Sequence, residues 1–89
     1  MARILVIDDD DRIRGMVLEM LSESGHEVDE ASNGQAGLDQ FRQTPTDLVI
    51  TDILMPEKDG LEIIQILKKE NPEVKIIAVS GGGDTGRID

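Results

Sequence analysis

The chain alternates between two hydrophobic rhythms. Ile4, Leu5, Val6 and Ile7 are continuous and rich in β-branched residues, the pattern of a strand covered on both faces. From Ile13 the apolar residues fall three and four apart. Ile13, Met16, Val17, Met20 and Leu21 form one stripe of a helix. Asp10 or Asp11 can cap its start, and Gly25 suits its end. Residues 27–31 are weakly apolar, as at the edge of a sheet. Asn33-Gly34 marks a turn, and residues 35–42 read as a short helix burying Ala36, Leu38 and Phe41. Residues 47–51 carry Leu48, Val49 and Ile50, a second continuous strand. Another helix opens at Asp59, with Leu61, Ile63, Ile64, Ile66 and Leu67 as its apolar positions. Glu62 stands three residues after that start, close to a capping box, and Asn71-Pro72 ends the helix. Residues 74–79 are a fourth strand.

Strands alternating with helices predict an α/β domain built on a parallel sheet. Right-handed crossovers then place helices on both faces. After the fourth strand come Ser80 and GGGDTGRID, a Gly-rich tail over residues 81–89 expected to be flexible.

Composition narrows the partners. Nine basic residues against 19 acidic ones leave a net charge of −10, which argues against nucleic acid or an anionic membrane as a direct partner. Cations, or proteins with a basic face, suit it better. The absence of cysteine excludes disulfides and thiolate chemistry. No apolar run approaches the ~18 residues of a membrane-spanning helix. The opening MARILVID is too short in its apolar part for a signal peptide. A cytoplasmic location is the expectation. With one aromatic residue, Phe41, the core must be aliphatic.

The first strand runs straight into four carboxylates, Asp8, Asp9, Asp10 and Asp11. Two unit charges ~4 Å apart repel by roughly 4 kcal/mol at an effective dielectric of ~20. Either the run is solvated or a cation sits among the acids. In open parallel sheets, ligands bind beyond the carboxyl ends of the strands. Asp8 and Asp9 close the first strand, Asp52 the third and Ser80 the fourth. A lone Asp after a strand is ordinarily just solvated. Acids at two strand ends beside a hydroxyl instead suit Mg²⁺, which takes few carboxylates and keeps several waters. Asp10 and Asp11 fit better as helix cap and surface charge.

These residues resemble the receiver domain of two-component response regulators. The matching pieces are ILVIDDD, ITDILMPEKDG and IIAVSGG, in that order. The resemblance implies a flavodoxin-like doubly wound parallel sheet with strands in the order 2-1-3-4. It implies that Asp52 accepts a phosphoryl group from a sensor histidine kinase. Asp9 is then a direct Mg²⁺ ligand, Asp8 acts mainly through water, and Asp52 and the backbone carbonyl of Leu54 complete the protein's share. Ser80 contacts the phosphoryl oxygens and switches with them, and Pro56 and Gly60 shape the loop after Asp52. Such a protein is a phosphoacceptor, not a turnover enzyme.

The family continues with a helix, a fifth strand ending in a phosphoryl-binding lysine, and a last helix. None of these is found in the 89 residues. Residues 1–80 are therefore expected to form a C-terminally truncated receiver with impaired phosphorylation. The fourth strand becomes an edge with Ile76, Ile77 and Val79 uncovered. An apolar edge invites pairing, so self-association, or capture of a completing polypeptide, is expected. A fragment serving only as an interaction piece, its acids merely solvated, is the alternative. A haloacid-dehalogenase-like phosphatase, using Asp8 and Asp10 with Ser80, is a third reading, but it leaves Asp52 and MPEKDG unexplained. His26 reads as a surface turn residue, and the four methionines as core or loop residues.

Overall fold

Seven elements follow in the order β1 (Arg3–Ile7), α1 (Asp11–Glu23), β2 (Glu27–Ala31), α2 (Gly34–Gln43), β3 (Leu48–Asp52), α3 (Gly60–Glu70) and β4 (Lys75–Val79). The computed structural model describes residues 1–53 and 60–79. The four strands form one parallel sheet in the order β2-β1-β3-β4. This is the expected order, with the weakly apolar β2 at one edge.

β1 sits in the interior because its sequence offers nothing for water. Ile4, Leu5, Val6 and Ile7 are all buried. Successive side chains of a strand point to opposite faces. Leu5 and Ile7 join Val49 of β3 in the main core, under Leu38 and Phe41 of α2 and Ile63 and Leu67 of α3. Each such side chain, fully buried, contributes roughly 1.5–3 kcal/mol. Ile4 and Val6 are buried outside that cluster, on the face where α1 packs over β1 and β2. Helices therefore cover both faces, as the crossover rule requires.

Local signals set the helix ends. Asp10 caps α1: its Oδ1 accepts from the backbone N–H of Arg12 (2.9 Å) and Ile13 (3.1 Å). The other end closes as a Schellman motif. The N–H of Gly25 donates to the Ser22 carbonyl (3.0 Å) and that of His26 to Leu21 (3.2 Å), with Gly25 at φ +92°. The expected turn at Asn33-Gly34 is a cap. Asn33 Oδ1 accepts from Ala36 N (2.8 Å), and the helix starts at Gly34. His26 does more than turn the chain, because its Nδ1 accepts from Ala2 N (3.0 Å) and ties β2's entry to the N-terminus.

Two expectations fail. The apolar stripe of α1 is not a core face, for no residue of α1 is buried. Met16 and Met20 remain 64% and 62% exposed on α1, so these two are neither core nor loop residues, whereas Met1 lies ahead of β1 as an exposed non-core residue. α2 and α3 take the opposite face, and among the described residues no second helix flanks α1. At the far edge, Ile77 is 48% exposed as expected, but Ile76 packs against the core. The strand bounds also shift slightly. Asp52 lies inside β3, and Val74 precedes β4 as a buried core residue. The cap expected at Asp59 falls outside the described residues. Among those described, no helix is long and apolar enough to cross a membrane.

Gly15 and Gly37 respond oppositely to the same change. A Cβ on Gly15, exposed in mid-α1, meets nothing within 4 Å. Gly15→Ala is expected to stabilise the fold by about 0.5–1 kcal/mol through helix propensity. A Cβ on Gly37 would run into Ile7 Cδ1 and Cγ1, the latter at 2.8 Å. Ile7 is fully buried and has no room to retreat. Gly37→Ala is expected to cost about 1–3 kcal/mol from overpacking, less the propensity gain. Urea melts of the two variants check both signs.

Candidate functional site

β1 and β3 deliver their acids side by side. Ile7 lies opposite Thr51 in the parallel register, so the next residues, Asp8 and Asp52, stand side by side at the carboxyl end of the sheet. Both are buried, while Asp9 is exposed. One carboxylate oxygen from each of Asp8, Asp9 and Asp52 lies within 4.8 Å of the other two. The three acids expected at one sheet edge are thus brought together. Val79 lies opposite Asp52 in β4. Leu54 and Ser80, the other expected site residues, lie outside the described residues, as does Pro56.

The local backbone holds Asp8 firmly. Its N–H donates to the Ala31 carbonyl of β2 (3.1 Å), and its Oδ1 accepts from Asp10 N (2.9 Å). Asp10 is consumed as this donor and as the α1 cap, which removes it from any Asp-x-Asp pair with Asp8. On the other strand, Thr51 Oγ1 donates to the Asp52 carbonyl (3.2 Å). Gly60 closes in from below, its N–H donating to the Ile53 carbonyl (3.2 Å). A Cβ there would strike the Asp52 carbonyl oxygen and stand 2.5 Å from Ile53 Cα and 2.9 Å from the Asp52 carbonyl carbon. Any larger residue must push the end of β3, and Asp52 with it.

The cluster is electrostatically loaded. The Asp8 carboxyl is pushed up from its ordinary value, mainly because burial disfavours its charged form. The charges of Asp52, Asp9 and Asp10 push the same way, and only the Asp10 N–H pulls it down.

A hard cation fits this donor set. Mg²⁺ binds oxygens at about 2.0–2.1 Å, so ligands on opposite sides of one ion stand about 4.2 Å apart. Oxygens grouped within 4.8 Å of one another meet that scale. The exposure of Asp9 leaves one side open to the waters Mg²⁺ retains.

The comparisons with known proteins agree. A family profile described as the response regulator receiver domain matches residues 4–88. The chain belongs to the response regulator receiver family. It is 33% identical to the response regulator receiver protein CpdR of Brucella abortus over 81 residues, covering 91% of this chain and 68% of that protein. It is 33% identical to the chemotaxis protein CheY of Thermotoga maritima over 87 residues, covering 97% of this chain and 72% of that one. Among solved structures, it is similar to the response regulator TrrA of T. maritima in complex with Mg(2+)-BeF. That match has 45% identity and a TM-score of 0.84, covering 88% of this chain and 68% of that one. The chain spans a smaller share of longer regulators. Receivers act in two-component signalling as phosphoacceptors rather than turnover enzymes. They take phosphoryl groups from sensor histidine kinases and bind Mg²⁺ at an acidic site. The phosphatase reading is set aside accordingly.

One residue at the site escaped the sequence reading. Arg14 of α1 reaches back to donate to the Asp8 carbonyl (2.8 Å). Nothing in a helix-spaced stripe announces such a contact, because it depends on α1 doubling back over the strand end.

Removing one charge from the receiver's cluster should relieve it. Two charges 4.8 Å apart repel by about 1 kcal/mol in water and about 3 kcal/mol at an effective dielectric of 20. A carboxyl whose folded-state pKa is raised costs stability when ionised, a cost absent well below its unfolded-state pKa and complete above the folded one. Asp8→Asn keeps an acceptor for the Asp10 N–H. At neutral pH in chelator it is expected to gain about 1–3 kcal/mol in a thermal or urea melt. Mg²⁺ is expected to stabilise the native protein more than this variant.

Proposed function

We propose that the chain accepts a phosphoryl group on Asp52 from a sensor histidine kinase, with Mg²⁺ as its cofactor. The observation that carries this reading is the placement of Asp52. It is buried at the end of β3, its carboxylate beside those of Asp8 and Asp9. A relative 45% identical to this chain forms a complex with Mg(2+)-BeF, which supports the same reading.

In the proposed reaction an Asp52 carboxylate oxygen attacks phosphorus in line. The P–N bond to the kinase histidine breaks as the O–P bond forms, and the imidazole leaves with the electron pair and takes up a proton. Phosphoryl transfer needs positioning and charge neutralisation more than covalent help. When bound, Mg²⁺ supplies the neutralisation. Asp9 and Asp52 would hold it directly, Asp8 mainly through water, and the Leu54 carbonyl would add a ligand. Ser80 would contact the phosphoryl oxygens. Domain bounds of 1–80, with 81–89 as a tail, belong to this proposal, as does a cytoplasmic site of action away from nucleic acid. With Mg²⁺ and acetyl phosphate, intact mass is expected to rise by one phosphoryl group. The gain should vanish in Asp52→Asn and in excess chelator. A gain that persists in Asp52→Asn would overturn the assignment.

We also propose that two copies associate through β4. β4 pairs only with β3 among the described residues, and its own Ile77 is exposed. An unpaired strand edge is a ready template for a second strand. Each copy carries a net charge of −10, so association should strengthen with salt. Sedimentation velocity is expected to show a dimer at high concentration that Ile77→Lys dissociates. A monomer at every concentration and salt would overturn this, and so would a dimer indifferent to Ile77→Lys.

A further inference from the structure

We propose that Arg14 is a positioning residue for the acidic pair, fixing the Asp8–Asp9 peptide from which both carboxylates project. The inference rests on reading the cluster as a Mg²⁺ site. The guanidinium makes three contacts in three directions. Nη1 donates to the Asp8 carbonyl oxygen (2.8 Å), Nε to Glu30 Oε1 on β2 (2.8 Å), and Nη2 to Asp11 Oδ1 in the first turn of α1 (2.7 Å). The Arg14 side chain is 15% exposed, whereas those of Asp11 and Glu30 are 86% and 46% exposed.

The geometry separates what these contacts do. The bonds to Asp11 and Glu30 hold the guanidinium in place; they are surface ion pairs and add little stability alone. The bond to Asp8 uses that fixed fork to hold a carbonyl. This carbonyl belongs to the peptide unit joining Asp8 to Asp9. Asp8 is otherwise fixed by its N–H to Ala31 and by its Oδ1 to Asp10 N. The second bond closes a turn that spans the Asp8–Asp9 peptide, and the Arg14 bond adds a direct hold on the carbonyl oxygen of that peptide. Asp9 is exposed, with no wall to hold it. Arg14 therefore supplies the restraint that the exposed ligand lacks. A planar guanidinium with three engaged nitrogens does this better than an ammonium on a flexible stem. Because each of its three nitrogens is already engaged, Arg14 acts as a strut and not as an anion-binding group.

Groups that orient ligands from behind typically change metal affinity 10–100-fold when removed. The test compares Mg²⁺ affinity by isothermal titration with the ¹⁵N shift of the Asp9 amide, whose nitrogen shares the peptide with the Asp8 carbonyl. Arg14→Gln is expected to weaken Mg²⁺ binding about tenfold and to move the Asp9 resonance, while the urea melt remains cooperative. Arg14→Lys keeps one donor and the charge, and is expected to recover part of the affinity. Glu30→Ala removes the strand contact but not the one to Asp8, and is expected to leave both readouts close to native.

Native affinity and an unmoved Asp9 resonance in Arg14→Gln would overturn the proposal. So would Glu30→Ala reproducing the full effect, since Arg14 would then be a general clamp between α1 and β2. If Arg14→Gln does not fold, Arg14→Lys decides, with native affinity and an unmoved Asp9 resonance overturning it. Failure of the native protein to bind Mg²⁺ saturably would sink the metal reading. The Asp9 resonance would still report whether Arg14 sets the peptide.

Discussion

The site depends on the burial of β1 on both faces. Four consecutive aliphatic residues leave this strand no favourable place except between two others, under helices on either side. Its last buried residue, Ile7, is followed at once by Asp8. The hydrophobic effect is non-directional, but a strand is not. Burying residues 4–7 fixes where residue 8 emerges, and the register with β3 fixes that Asp52 emerges beside it. The repulsion among the acids is tolerated because apolar burial a few ångströms away holds the strands together.

Much of this was legible in the sequence, for identifiable reasons. Continuous runs such as 4–7 and 48–50 admit few readings, and both became strands. Asp8, Asp9 and Asp52 could be placed because parallel strands gather their carboxyl ends at one edge. α1 misled, because a three-four spacing predicts an apolar face without saying what covers it. Met16 and Met20 have the spacing of core residues and lie in the open. Asn33-Gly34 looked like a turn because capping and turning use the same residue types. Arg14 was invisible, since its contacts with Asp8 and Glu30 join elements whose mutual angle no local pattern encodes.

Glycine carries a related lesson. Gly15, Gly37 and Gly60 all stand within or at the start of helices, and local propensity treats them alike. Their surroundings differ sharply. Gly15 faces open space, Gly37 lets α2 settle onto Ile7, and Gly60 lets α3 begin against the backbone of Asp52. Only the last bears on the chemistry, because α3 then starts against the backbone carbonyl of the phosphoacceptor candidate itself.

The strand order also has a consequence for how the chain reaches its native state. β1 and β2 are paired across 24 residues, but β1 and β3 across 44. Closing the longer loop costs only about 0.5 kcal/mol more entropy. Yet that pairing joins the two halves of the acid cluster. An early β1–α1–β2 unit, the most local part of the topology, contains Asp8 and Asp9 but not Asp52. The cluster therefore exists only once the non-local contacts have formed, and its repulsion is felt late. A cation that bridges it acts on the native state alone, and by mass action stabilises the whole fold and not one loop of it.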